Sequence, residues 1–257
     1  MFEDVTLHRA ARGFEAAADA YDRARPEYPE EAMDLVARVL HLAPGRRLLD
    51  LGAGTGKFSR LAAARGATVV ALEPADAMVR RAAGMPGVLP VRAVAEALPV
   101  RPHSADAACA ASAFHWFDGR RTLGEIHRAL RRHGRLALLW NKRDDTVDWV
   151  ARISAIVNRH EGNAPRYRTG DWHRAFDGAR DLFRPLEEAS FRHEHPLSAA
   201  GVVERVATVS FIATLPQAER AAVLDEVRAL LASHPATAGR EELPMAYFTD
   251  VFLWETV

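Results

Sequence analysis

Three glycines at alternate positions, Gly52, Gly54 and Gly56, sit in the run LLDLGAGTGKFS over 48–59, with Asp50 just ahead of them. The apolar residues before them read as a buried strand, and the residues after them as the start of a helix. Glycine lacks a Cβ, so a ligand can lie directly on the main chain. The following helix start supplies free N–H groups and partial positive charge. Glu73 ends the next strand-like run, 21 residues after Gly52, and a carboxylate there can accept hydrogen bonds from two ribose hydroxyls. In an open parallel sheet such a site lies at the carboxyl ends of the strands, so the pattern predicts a nucleoside lying across the first two strands.

Two common nucleotide-binding loops fit poorly. A phosphate-binding loop needs a glycine, four residues and then Gly-Lys-Ser or Gly-Lys-Thr. Here Phe58 follows Gly56-Lys57, and Leu51 occupies the position of the leading glycine. A dinucleotide fingerprint places its third glycine one residue later, where this chain has Lys57. An NAD-dependent oxidoreductase is therefore kept only as a weaker alternative.

The elements that position these residues alternate regularly through the first half. Strands are expected over 46–52, 67–74, 88–92, 105–110 and 134–140, and helices over 57–65, 75–83 and 122–132. Steady strand-helix alternation implies parallel strands joined by right-handed crossovers and covered on both faces. The second half reads as a helix over 147–160, a loop, a strand over 183–195 and helices over 199–213 and 216–233. In the last of these, Val223, Leu224, Val227, Leu230 and Leu231 recur at helical spacing, and His234-Pro235 stops the pattern. The chain ends in a strand-like run rich in aromatic and β-branched residues, LPMAYFTDVFLWETV.

The string LDLGAGTGKFSRLAAARGATVVALEP resembles the first two motifs of class I S-adenosylmethionine-dependent methyltransferases. This cofactor has no pyrophosphate for an acid to repel. It carries a cationic amino group and a sulfonium, which Asp50 would favour. AVAEALPVRPHSADAACAASAFHWFD over 93–118 resembles the next two motifs of the type 11 methyltransferase family, and FHWFD is similar to a signature of the trans-aconitate methyltransferase-like subgroup. The resemblance implies an α/β fold with a Rossmann-like seven-stranded sheet, parallel except for the last strand, and a helical cap over the carboxyl ends of the strands. It implies one methyltransferase domain over 1–257, with an N-terminal helical cap segment over 1–40 and a cofactor-binding core over 45–142. Helical additions over 147–235 would form the substrate cap, with sheet strands near 186–195 and 244–255.

The same resemblance assigns the cofactor site to Tyr21, Arg25, Asp50, Gly52, Ala53, Gly54, Gly56, Glu73, Pro74, Met78, Ala95, Glu96 and Ser112. Gly52 to Gly56 would pack under the methionyl and ribose parts, Glu73 would bind the ribose, and Ala95 and Glu96 would lie beside the adenine with Met78 against it. Tyr21 and Arg25 would meet the methionyl end. Val94 stands where relatives often carry a polar residue before the Ala-Glu pair.

His115 follows the fourth strand, where the methyl group should point, and is the candidate for orienting the acceptor or taking its proton. Tyr28, His115, Trp116, Asn141, Arg143 and Trp172 are the candidates for binding substrate. Arg143, at the carboxyl edge of the fifth strand, is a candidate anion clamp. The expected reaction is in-line methyl transfer to an oxygen or nitrogen of a small carboxylate, phenol or amine, leaving S-adenosylhomocysteine. A protein that binds the cofactor without transferring its methyl is the alternative of another kind.

Composition narrows the partners. Lys plus Arg and Asp plus Glu both total 34, so the formal net charge is zero, without the basic footprint of a nucleic-acid binder. Cys109 is the single cysteine and lies in an apolar run. His193 and His195 alternate on one strand without a third ligand at suitable spacing, so no metal is expected. The N-terminal residues lack the apolar core of a signal peptide and no run of 18 apolar residues exists, so a cytoplasmic monomer or homodimer without membrane contact is expected.

Overall fold

The computed structural model describes residues 22–257. Tyr21 lies outside the described residues, as does the start of the expected N-terminal segment. A seven-stranded sheet forms the centre, with strand order β3-β2-β1-β4-β5-β7-β6. Its strands are β1 (Arg47–Leu51), β2 (Thr68–Glu73), β3 (Val88–Arg92), β4 (Ala105–Ala111), β5 (Leu130–Arg143), β6 (Phe183–Leu197) and β7 (Leu243–Thr256). The first five pair in parallel, and β7 runs antiparallel to both β5 and β6. β1 is the first central strand and is buried at four of its five positions, as a strand covered on both faces must be.

Helices α1 (Glu30–Leu40), α2 (Lys57–Ala64), α3 (Asp76–Ala82) and α4 (Gly119–Ala129) belong to the sheet layers. α1 lays Ala32, Met33, Val36 and Leu40 on the face that also buries Leu48, Phe58, Cys109, Ala137 and Leu139. The opposite face buries Leu49, Leu51, Leu123, Ile126, Leu136, Leu138 and Trp140. Strand parity sorts these sets: odd positions of β1 face one layer and even positions the other.

A third core, separate from the sheet's two layers, is built by α5 (Asp148–Asn158), α7 (Ala199–Ala207), α8 (Ser210–Ala213) and α9 (Gln217–Ser233). It is anchored on Leu243, Met245 and Tyr247 at the start of β7. A short helix, α6 (Arg174–Asp177), packs near α4 on the other layer.

Three expected boundaries change. The helix expected over 122–132 starts at Gly119, because the Asp118 side chain caps it by accepting from the Arg121 N–H at 3.2 Å. It ends at Ala129, and Leu130 already pairs with Ala105 in β5. The pairing is then irregular until Arg135, with His133 in the left-handed region at φ 58°. The helix expected over 199–213 is two helices. The break falls at the β-branched pair Thr208-Val209, where the Thr208 hydroxyl bonds back to the Arg205 carbonyl at 2.8 Å.

Candidate functional site

A cavity of about 360 Å³ opens at the carboxyl ends of β1, β2 and β4. Its floor is the loop between β1 and α2. The Gly52 and Ala53 N–H groups both donate to the Leu72 carbonyl, at 2.8 and 3.1 Å, which holds the loop against β2. The three glycines all adopt left-handed φ, but for different reasons. A Cβ on Gly52 would stand 2.7 Å from the Ala113 Cβ and 3.1 Å from the Phe117 ring, so this position accepts only glycine. A Cβ on Gly54 would meet no protein atom within 4 Å and would project into open space. Gly56 makes room for the Met85 sulfur, 3.0 Å from where a Cβ would sit. Gly52 and Gly54 line the cavity with Ala53. Gly56 does not, and its bareness serves the turn and its packing.

Glu73 is fixed by that same loop. Its Oε2 accepts the Gly54 N–H and its Oε1 the Ala75 N–H, both at 3.0 Å. A carboxylate oxygen has two acceptor sites, so both oxygens can accept further bonds from a diol. The expected residues Pro74, Met78, Ala95 and Glu96 follow along the same wall. Glu96 accepts the Asp118 N–H at 2.9 Å, which ties this wall of the cavity to the FHWFD run.

Asp50 is a correction. It does not reach the cavity wall. Even positions of β1 face α2, so its carboxylate is wholly buried and accepts from the Ser59 hydroxyl at 2.6 Å through Oδ2. Oδ1 has no hydrogen-bond partner among the described residues. Burial pushes its pKa up to about 7 against the opposing hydrogen bond from Ser59, with the nearby Glu73 charge adding a smaller push upward. Asp50 therefore sits beneath the loop as a support poised between charge states. Its register partner Cys109 lies on the same buried face, and burial and the Asp50 charge hold that thiol well above its ordinary range.

The segment entering α1 closes over this floor. The Thr55 hydroxyl donates to Asp22 at 2.8 Å, and Lys57 pairs with Glu27 at 3.1 Å. Arg25 and Tyr28 line the cavity, and Arg25 donates to the Thr208 carbonyl at 3.0 Å. The Tyr28 hydroxyl lies 3.2 Å from the Ser112 Oγ. Ser112, expected in the cofactor site, stands on the wall directly after β4 with φ 58°. A non-glycine residue held there is the kind of local strain that clusters at ligand sites.

Among the candidates for binding substrate, Tyr28, Trp116 and Asn141 line the cavity. Asn141 is largely committed to structure: its Nδ2 donates to the Pro26 and Glu27 carbonyls, and its Oδ1 accepts from the Thr249 hydroxyl at 2.5 Å. His115, Arg143 and Trp172 do not line it. Trp172 is buried in an aromatic block, tilted against Trp140 with ring centroids 4.6 Å apart, and is a core residue here. His115 packs beside Trp116 and accepts the Trp140 indole N–H on Nδ1 at 3.0 Å. That bond puts the imidazole proton on Nε2. Burial, with the Arg166 and Arg25 charges, lowers the pKa to about 3. His115 thus offers Nε2–H as a donor, and burial favours its neutral form.

Sequence reasoning missed Lys57, Phe58, Arg121 and Arg205 as wall residues. Phe58 and Lys57 were readable as the first turn of the helix after the glycines. Arg205 carried no signal, because it reaches the cavity from a helix more than 60 residues beyond β5. Among the described residues no group of three metal-ligating side chains occurs, and no helix is long and apolar enough to cross a membrane.

A glycine-floored cavity with an acid at the end of β2 fits an adenosine ligand that needs no phosphate cradle. A methyltransferase domain family matches residues 49–138, which hold the floor, Glu73 and the FHWFD run. An uncharacterized methyltransferase of Mycobacterium tuberculosis is 37% identical over 238 residues, covering 92% of each chain. The chain is a class I S-adenosylmethionine-dependent methyltransferase. An uncharacterized methyltransferase-like protein of Schizosaccharomyces pombe is 32% identical over 98% of this methyltransferase and 97% of its own length. Among solved structures, a putative type II methyltransferase of Anaeromyxobacter dehalogenans superposes with a TM-score of 0.63 at 28% identity, covering 90% of this chain and 97% of its own. The seven-stranded sheet with antiparallel β7 is the architecture of this family.

Proposed function

We propose that the cavity binds S-adenosylmethionine across β1 and β2 and that the methyl acceptor is a small molecule attacking through an oxygen or nitrogen that has no proton to lose. The observation that carries this reading is the bare floor at Gly52 and Gly54 joined by hydrogen bond to Glu73. Glu73 takes the ribose hydroxyls, Met78 and Ala95 face the adenine, and Arg25 meets the methionyl carboxylate. S-adenosylmethionine supplies a methyl group already activated by its sulfonium. The acceptor lone pair forms the new bond as the C–S bond breaks, and sulfur keeps that electron pair.

The protein's work is alignment and exclusion of water, which can contribute roughly 7–11 kcal/mol through proximity. Trp116 and Tyr28 wall the space, and the tether from Asn141 to the Pro26 and Glu27 carbonyls keeps the covering segment down. His115 lies behind the wall beside Trp116, which lines the cavity, and its Nε2–H is the group we assign to orient an acceptor oxygen there. A phenol or ammonium acceptor would need a base, which a histidine with a pKa of about 3 does not provide. A carboxylate needs none, and is the favoured acceptor. Residues 147–235 serve as the cap over that acceptor.

Calorimetry with S-adenosylhomocysteine and transfer of an isotope-labelled methyl group to a panel of carboxylates, phenols and amines test this reading. Saturable binding with label on carboxylates is the expected result. Absence of binding to folded protein would discard the cofactor assignment, and label confined to phenols would discard the base-free mechanism.

A further inference from the structure

Three arginines from three separate elements lie near one another beside the cavity, which Arg205 alone of them lines, and none has a carboxylate partner among the described residues. Arg143 ends β5 on the same strand face as Asn141, which lines the cavity. Arg205 stands on α7, is buried to 6% exposure and lines the cavity itself. Arg166 comes from the loop after α5, with its guanidinium 4.9 Å from the Phe211 ring centroid. Nη1 of Arg143, and Nε and Nη1 of Arg205, are shut off from solvent and make no hydrogen bond among the described residues. None of the three arginines forms an ion pair there. The nearby acids are already engaged: Asp145 accepts from Ser154 at 2.5 Å, and Glu161 pairs with Arg168.

Like charges held together in a desolvated place are costly, and so are buried donors left unbonded. Burial, and then the Arg205 charge, push the Arg143 guanidinium down to about 10; Tyr247 opposes this, and Arg166 and Asp145 act in opposite senses more weakly. Most other arginines in the described residues with buried acids nearby are paired, as Arg192 is with Asp144 at 2.8 Å. Such an arrangement is stabilised when an oxyanion enters and takes the forked donors.

We propose that Arg143, Arg166 and Arg205 form an anion subsite that holds a carboxylate or phosphate group of the methyl acceptor. This rests on the small-molecule methyl transfer proposed above. A carboxylate clasped by guanidinium groups has its lone pairs occupied, so the group held here is not the group methylated. The acceptor therefore carries at least two functional groups, one gripped by the arginines and one offered to the methyl beside His115.

The test uses the full chain with and without saturating S-adenosylhomocysteine. Glutarate and inorganic phosphate are titrated by calorimetry against a chloride control of equal ionic strength. Saturable binding of either probe is expected, and which one binds more tightly tells carboxylate from phosphate. Arg205→Met and Arg143→Met should each weaken the probe at least about tenfold, the usual scale for a lost charge-assisted bond, and leave S-adenosylhomocysteine affinity within about twofold. Arg166→Gln, on a half-buried side chain, should do the same if either buried variant fails to fold. Without ligand, Arg205→Met should raise the unfolding midpoint by roughly 2–4 °C, because an unpaired buried charge is removed.

The subsite is overturned if neither probe binds beyond the chloride control, or if the variants lower the ligand-free midpoint as a structural arginine would. It is overturned equally if they lose S-adenosylhomocysteine affinity in proportion, since the anion would then be the cofactor's own carboxylate. Failure of the wild type to bind S-adenosylhomocysteine would strike the cofactor reading alone, because the probes are also titrated without it.

Discussion

The two ends of the cavity are built by opposite means. The glycine-floored end is local and uses the main chain: one strand, one loop and Glu73 at the end of the next strand, all between Arg47 and Glu73. The arginine cluster beside the cavity is assembled from side chains that lie far apart in sequence, with Arg143 on β5, Arg166 in a loop and Arg205 on α7, of which Arg205 lines the cavity. Main-chain geometry suits a ligand that never changes, since any residue with a free N–H can supply it. Long side chains on separate helices suit a ligand that differs among related enzymes, because one substitution alters charge or reach without disturbing the sheet. Each end also carries a stored cost: Asp50 buried under the loop, and the arginines buried beyond it.

The largest expected effect separates these costs by pH. Asp50 has a folded pKa of about 7 against 3.8 when unfolded. A carboxyl raised in this way binds a proton in the folded chain where the unfolded chain has none. Its contribution therefore falls as pH climbs from about 4 to about 7 and is a penalty above that, on the order of 4 kcal/mol. Asp50→Asn should flatten denaturant-midpoint stability across that window and be more stable than wild type at pH 8. An unchanged pH profile would show that Asp50 is not the store.

Next comes the floor. Gly54→Val should reduce S-adenosylhomocysteine affinity about 100-fold, because branched carbons would occupy the open space above the loop. Calorimetry measures it, and near-normal affinity would mean the ligand lies elsewhere. Glu73→Gln should cost about tenfold in the same assay, the scale of hydrogen bonds made to a charged acceptor. Its effect on binding of glutarate or phosphate should be small, and an equal loss of both would erase the distinction between the two ends.

The smallest effect tests the junction between them. In wild type, nitrogen-15 spectra of histidine should show His115 neutral, with its proton on Nε2, throughout pH 5–8. Trp140→Phe removes the indole donor and should release a mixture of tautomers with little change in cofactor affinity. A His115 signal titrating near 6.5 in wild type would restore the base that the geometry denies.

The sheet was legible because its signals are local. Apolar runs, glycine at positive φ and acids at strand ends place β1, β2 and the loop within a residue or two. Gly52, Gly54, Glu73, Ala95 and Glu96, named from the sequence, line the cavity. Errors arose where a contact distant in sequence overrode local pattern. Asp50 looked like a ligand but strand parity turned it under α2, and Trp172 looked like a pocket residue but was drawn into the aromatic block around Trp140.

The amino-acid sequence alone determined the α/β alternation and the bare loop, since each follows from neighbours along the chain. Only the tertiary structure decided that His115 is a donor with its other nitrogen occupied, and that Arg143, Arg166 and Arg205 meet unpaired. Tautomer and charge pairing depend on which distant side chains share a desolvated space, and that is fixed by packing of α7 and the loop after α5 over the strand ends, not by spacing along the chain.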